Sequence, residues 1–274
     1  MSACQIKAVT FDLWETLLFE RDGDSSRRTA VRCRSLERAL SKFGVDISVE
    51  QLEQRLNNMT SLLVNIWDKN RDVTHLDQLR LIMKHASDST ILLKDEWVGE
   101  LSKAYTSPLF EVPPLLNPNA RTALQWLKRQ DKKVGLVCNT GLTPGTALRK
   151  FLDEQEVAEH FDLMVFSDEV GIRKPDPKIF KRVAQELNVK PFETVHIGDN
   201  LKSDVWGAKN AGFKAIHFSS STGRDRLAES DPASLVSQSR NLGTLSKEQI
   251  APDKTIKSLL SIRKAIEELE ANEH

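Results

Sequence analysis

Asp12, Asp199 and Asp204 are three carboxylates that follow short apolar runs, and Lys174 lies in the loop after another such run. Asp12 and Thr16 come after IKAVTF (6–11), Cys138, Asn139 and Thr140 close and follow KVGLVC (133–138), and Asp199 and Asp204 come after TVHIG (194–198). Carboxylates gathered in one crevice repel each other, and one takes up a proton unless a cation keeps them ionised. Asp12, Asp199 and Asp204 therefore point to a hard, oxygen-seeking ion. Mg²⁺ is favoured because waters and substrate oxygens can complete its octahedron. The Lys174 ammonium can pair with Asp12 and with a bound anion, which keeps the carboxylate charged and aimed. This set suits chemistry on a phosphate ester or a closely related electrophile.

The elements that must bring these residues together are five short β-rich runs, at 6–11, 133–138, 162–166, 194–198 and 214–218. Helical patterns separate the later ones, so the core reads as α/β with a doubly wound, Rossmann-like parallel sheet. In such sheets ligands bind beyond the carboxyl ends of the strands, where the polar residues above are placed. About 120 residues separate the first two runs, far more than the dozen or so that a crossover needs. Residues 26–43, 48–69, 75–87 and 94–106 carry apolar residues at helical spacing, and Ser48 with Gln51 forms a capping-box pattern. The expected organisation is an all-helical inserted domain over 20–106, with 1–19 and 107–274 forming the core. The proline-rich stretch SPLFEVPPLLNPNA marks the return to the sheet. Residues 219–252 read as a polar surface excursion, and a closing helix is expected to bury Ile256, Leu259, Leu260, Ile266 and Leu269.

The 274 residues contain 39 Lys plus Arg and 39 Asp plus Glu, so no global field attracts nucleic acid or acidic lipid. The N-terminal residues lack the charged start and long apolar stretch of a secretory signal, and no 18 apolar residues run together. A soluble, cytoplasmic protein without nucleic-acid or membrane partners is expected. The three cysteines, Cys4, Cys33 and Cys138, are widely spaced, and the six histidines show no paired-ligand spacing. A disulfide framework and a zinc centre are both disfavoured.

Four segments carry a family resemblance: F-D-L-W-E-T-L (11–17), L-V-C-N-T-G (136–141), G-I-R-K-P-D-P-K-I-F (171–180) and H-I-G-D-N-L-K-S-D-V-W-G-A-K-N-A-G (196–212). In order and spacing they resemble the four motifs of the haloacid dehalogenase-like hydrolases, and the helical insertion resembles that family's cap. The resemblance implies that Asp12 attacks the substrate and forms a covalent aspartyl intermediate. It also implies that Asp199 binds Mg²⁺, with Asp204 as a further ligand or a support. Thr16 and Asn139 would hold the phosphoryl group and Lys174 would stabilise its charge. The substrate implied is a small phosphorylated metabolite, and the sequence leaves room for a homodimer.

Two positions depart from the pattern. Phosphatases of this family carry a second aspartate two residues after the nucleophile, as general acid and base, and here that residue is Trp14. Its backbone carbonyl can still reach a metal, but the indole cannot exchange the proton. That assistance is typically worth about 10² to 10⁴ in rate, so turnover is expected to be slow. Glu15 is expected to point away from where Trp14 points, as neighbours on extended chain do. Cys138 stands where a serine or threonine would contact phosphate, and it reads equally well as a small apolar residue ending a buried strand. An aromatic at position 14 also resembles the 2-haloacid dehalogenase branch, but the metal-type aspartates and Phe180 argue for phosphate chemistry. A non-catalytic binding or regulatory protein is a third reading. Arg21, Arg27, Arg28, Arg32 and Arg34 are expected on a solvated helix face, with contact to an anionic substrate as the alternative; Trp67, Trp97, Trp126 and Trp206 are expected as packing residues, and His196 and His217 as satisfied core histidines.

Overall fold

The structure is a computed structural model that describes residues 5–84, 91–219 and 245–271. Its main sheet contains β1 (Ala8–Phe11), β4 (Lys133–Cys138), β5 (Leu163–Phe166), β6 (Thr194–Gly198), β7 (Lys214–Phe218) and β8 (Lys254–Ile256). Their spatial order is β5-β4-β1-β6-β7-β8, and every pairing is parallel. Strands covered on both faces are mostly apolar, and β1, β4 and β6 are buried along their length apart from Lys133, with Thr10 and His196 as polar residues within β1 and β6. Side chains alternate across the sheet. Val9, Phe11, Leu136 and Cys138 join a cluster with helices α6 (Ala120–Arg129), α7 (Gly145–Glu154) and the closing helix Ile262–Ala271. Ala8 and Val137 point the other way, toward helices α9 (Pro177–Glu186) and α10 (Gly207–Asn210).

The chain runs from β1 outward through β4 to β5 and then crosses back to β6 on the other side of β1. The loop after β1 therefore lies between those after β4 and β6, at the crevice where such sheets bind ligands.

The five expected strands are present, and the inserted segment is helical: α1 (Asp24–Ser41), α2 (Val49–Trp67), α3 (His75–Met83) and α4 (Val98–Thr106). These helices bury their own apolar cluster, with Leu36, Leu40, Leu56, Leu63, Leu79 and Tyr105 at its centre. Helix α2 starts as its sequence predicts. The Gln51 N–H donates to Ser48 Oγ at 3.3 Å, and the Ser48 N–H donates to Gln51 Oε1 at 2.9 Å. The insertion leaves and returns through a two-stranded antiparallel ribbon, β2 (Leu18–Phe19) with β3 (Leu115–Leu116). A four-residue helix, α5 (Pro108–Glu111), precedes β3 within the proline-rich segment. Among the described residues no helix is long and apolar enough to cross a membrane.

Two expectations near the C-terminus change. Ile256 lies in the short strand β8, not in the closing helix, and Leu260 is 58% exposed. Three residues are too few to display a period of two, and the strand forms because β7 offers a free edge to pair with. The Asp253 carboxylate secures that edge by accepting the Ala215 N–H at 2.7 Å. Residues 220–244 of the expected surface excursion, 85–87 of the third helical pattern, and Cys4 lie outside the described residues.

Ser48→Ala should lower the unfolding free energy by about 1 kcal/mol by removing one side of the capping box. Ser61→Ala on the exposed face of the same helix should be close to neutral. Urea unfolding of both variants with unchanged m-values checks this.

Candidate active site

The chain turns sharply after β1. The Leu13 carbonyl accepts from the N–H groups of Leu17 at 2.9 Å and Leu18 at 2.8 Å, and Glu15 takes a left-handed φ of 62°. Residue 15 is therefore a turn residue, which removes the extended chain on which the expected direction of Glu15 rested. Glu15 is buried. Asp12 sits at the head of this turn, with its N–H donated to the Ile197 carbonyl of β6 at 2.9 Å.

Lys174 Nζ lies 2.6 Å from Asp12 Oδ1 and 2.7 Å from Asp204 Oδ1, and all three side chains are buried. The other oxygen of Asp204 accepts the Asn200 N–H at 2.9 Å. Asp204 is carried on a π-helical turn, Leu201–Trp206, whose first N–H groups are capped by the Asn200 side chain. Gly198 makes room for it. A Cβ on residue 198 would lie 2.4 Å from the Asp204 carboxyl carbon, so only glycine permits this approach. Asp12, Asp199 and Asp204 each offer a carboxylate oxygen, and the three lie within 4.8 Å of one another.

Burial pushes the Asp12 carboxyl up to about 7; Lys174 opposes the rise, and Asp204 and Asp199 reinforce it. For Asp204 burial also works against charge, but Lys174 and His196 outweigh it and hold the group well below the usual carboxylate range. Burial alone would lower the Lys174 pKa, yet its two aspartates raise it above the usual amine range, so it stays an ammonium. Three carboxylates against one ammonium leave the cluster short of positive charge. That donor set, all hard oxygens, fits a divalent cation.

The remaining predicted residues are placed as follows. Asn139 clamps the main chain of Lys174: its Nδ2 donates to the Lys174 carbonyl at 2.9 Å and its Oδ1 accepts the Lys174 N–H at 2.8 Å. Thr16 Oγ1 stands 3.5 Å from Asp12 Oδ2, at the outer limit of a hydrogen bond. Cys138 is fully buried in the apolar cluster, and burial, with Asp12 adding to it, raises its thiol pKa well above the ordinary range. It is thus a neutral thiol. The Trp14 ring is half-buried and lies 5.7 Å from the Arg28 guanidinium carbon.

Arg28 and Arg32 correct the expectation of a solvated helix face, since they are only 4% and 3% exposed. Arg28 pairs with Glu20 and donates to the Val112 carbonyl, and Arg32 donates to the carbonyls of Tyr105 and Leu142. His196 is a satisfied buried histidine, but its partners make it part of the site. Its Nδ1 lies 2.9 Å from Thr10 Oγ1 and its Nε2 lies 3.3 Å from Asp204 Oδ1. Thr10 and His196 are register partners on β1 and β6, and two polar residues inside apolar runs were the available signal. His217 Nε2 lies 3.0 Å from the Asp199 carbonyl oxygen.

The chain is similar to known proteins. A sequence model described as haloacid dehalogenase-like hydrolase matches residues 6–212. Glyceraldehyde 3-phosphate phosphatase from Methanopyrus kandleri is 30% identical over 217 residues, covering 78% of this chain and 84% of the relative. The protein of the same name from Pyrococcus furiosus is 28% identical over 218 residues, covering 78% and 81%. Among solved structures, 2-haloacid dehalogenase from Pseudomonas syringae aligns with a TM-score of 0.64 at 20% identity, covering 96% of this chain and 99% of the other. A HAD phosphatase from Thermococcus onnurineus aligns with a TM-score of 0.58 at 24% identity, covering 94% and 96%. These two structures share the parallel-sheet fold. With the matched segment spanning well over half of its length and containing Asp12, Lys174, Asp199 and Asp204, the chain belongs to the haloacid dehalogenase-like hydrolase family.

Proposed function

We propose that the protein is a Mg²⁺-dependent phosphatase of small phosphorylated metabolites, working through an aspartyl-phosphate on Asp12. One observation carries this reading. Asp12 is buried with Oδ1 held by Lys174 at 2.6 Å, its Oδ2 meets Thr16 Oγ1 at the long distance of 3.5 Å, and a carboxylate oxygen of Asp12 lies within 4.8 Å of one from Asp199 and one from Asp204. A nucleophile needs that combination of fixed aim and one available oxygen. The names of the two archaeal relatives support a phosphate ester as the substrate, with a triose phosphate as a fair representative of its size.

Asp12, Asp199 and Asp204 would hold Mg²⁺, with the Trp14 carbonyl as a further candidate ligand; when bound, the ion supplies positive charge to the phosphoryl oxygens. Asp12 attacks phosphorus, the ester P–O bond breaks, and its electron pair leaves with the alkoxide. Water then attacks phosphorus, the P–O bond to Asp12 breaks with its electron pair returning to the carboxylate, and the proton lost by the water goes to the released alkoxide or to solvent. Lys174 adds a fixed positive charge next to the nucleophile, and Asn139 keeps Lys174 in place through its main chain. The helical insertion acts as a cap over the crevice and limits the entry of water.

Trp14 shapes the rate. No proton can come from its indole, so an alkoxide departs slowly and an oxygen that is stable as an anion departs faster. The missing assistance is worth about 10² to 10⁴ in rate, or roughly 3 to 5 kcal/mol.

With an aryl phosphate and Mg²⁺, Asp12→Asn should reduce phosphate release to background. Removing Mg²⁺ with EDTA should abolish it, and added Mg²⁺ should restore it. Release indifferent to both changes, or halide release from a 2-haloacid without metal, would overturn the reading. Across a series of phosphate esters, kcat should rise steeply as the leaving-group pKa falls, and a flat series would mean that some group replaces the absent acid. Gly198→Ala should displace Asp204 and raise the Mg²⁺ concentration for half-maximal activity by about 10- to 100-fold.

A further inference from the structure

The residue before Lys174 is Arg173, and it is tied to the helical insertion. Its Nη1 donates to Asp72 Oδ2 and to the Thr140 carbonyl, and its guanidinium carbon lies 4.6 Å from the centre of the Trp67 ring. Asp72, just past the end of α2, has a fully buried side chain. Its Oδ1 accepts from Trp67 Nε1 at 3.0 Å and from the Val73 N–H at 2.9 Å. Its Oδ2 accepts from Ser167 Oγ and Arg173 Nη1 and lies 3.3 Å from Thr140 Oγ1. Main-chain bonds reinforce the junction. The Arg173 N–H donates to the Asn70 carbonyl at 3.0 Å, and the Asp72 N–H donates to the Gly171 carbonyl at 3.3 Å.

Two of the partners of Asp72, Thr140 and Arg173, are peptide neighbours of site residues. Thr140 follows Asn139, Arg173 precedes Lys174, and Asn139 and Lys174 are the clamp described above. Asp72 thus holds, from the insertion, the two core loops that place the ammonium against Asp12 and Asp204. A buried ion pair contributes little net stability compared with packed apolar side chains, because both charges must be desolvated. What it supplies here is position. An ammonium serving two carboxylates at 2.6 and 2.7 Å tolerates little displacement of its backbone.

We infer that Asp72 is a positioning residue: through Arg173 and Thr140 it seats the Lys174 loop, so docking of the helical insertion and assembly of the active site are one event. The consequence for catalysis rests on the phosphatase reading; the structural coupling does not.

The test separates the two. In the full-length protein, the rate at which an amine-specific reagent labels Lys174 is read by peptide mass spectrometry. Lys132, which is also buried and is held by the Ile6 carbonyl and Glu270, reports unfolding of the core. Asp72→Asn and Arg173→Gln should each speed Lys174 labelling about tenfold, as local opening of the loop would, and leave Lys132 unchanged. The double variant should label no faster than the singles, since both remove one linkage. Lys174 labelled at the wild-type rate in Asp72→Asn overturns the inference. If Lys132 also labels faster there, Thr140→Val takes over the test with the same criterion. On an aryl phosphate, Asp72→Asn should lower kcat about tenfold with little change in KM, as misplacement of a catalytic group does. A protein that releases no phosphate but shows the labelling pattern would sink the phosphatase reading and leave Asp72 in its role.

Discussion

The bridge from the Lys174 ammonium to Asp12 and Asp204 is the interaction on which the rest of the site depends. Three aspartates beside one another, two of them buried, cannot all stay charged without compensation, and Lys174 provides the first unit of it. The opposite directions in which Asp12 and Asp204 move show how that compensation is shared. Asp204 receives Lys174, His196 and a backbone N–H and stays ionised, while Asp12 is pushed up to about 7. The group left under-compensated is Asp12, at the head of the turn after β1.

Much of the surrounding structure can be understood as what this bridge requires. The strand order puts the β1 loop between the β4 and β6 loops, so residues 162 positions apart meet at 2.6 Å. Gly198 gives Asp204 the space a side chain would occupy, and a π-helical turn presents it. Asn139 fixes the lysine main chain, and the buried Asp72–Arg173 pair ties that loop to the insertion. Around Trp14 the arrangement differs from what proton transfer needs: the indole is half-buried with an arginine beside it. The ring packs against the apolar cluster of the core.

Legibility in the sequence followed the range of the physics. The five strands and the helix start at Ser48 were readable because short apolar runs and capping are local patterns. The acidic cluster was readable because polar residues interrupt apolar runs where parallel strands end. Strand β8 was too short to stand out as an apolar run, and Arg28 and Arg32 looked solvated because, Glu20 apart, the partners seen for them are carbonyls at 112, 105 and 142. No local pattern announces a carbonyl from another element.

By itself, then, the sequence determined the class of fold, the membership of the acidic site and the absence of an acid at Trp14, because these depend on side-chain chemistry and on periods of two and 3.6. Only the tertiary structure decided the duties of individual residues. It made Asn139 a clamp on Lys174, sealed Cys138 in the apolar cluster, turned Glu15 out of extended chain, and brought Asp72 to Arg173 across 101 positions. The reason is physical: a hydrogen bond or ion pair depends on two groups arriving at one place with fixed orientation. That arrival is set by the packing of whole elements, which no single stretch of chain encodes.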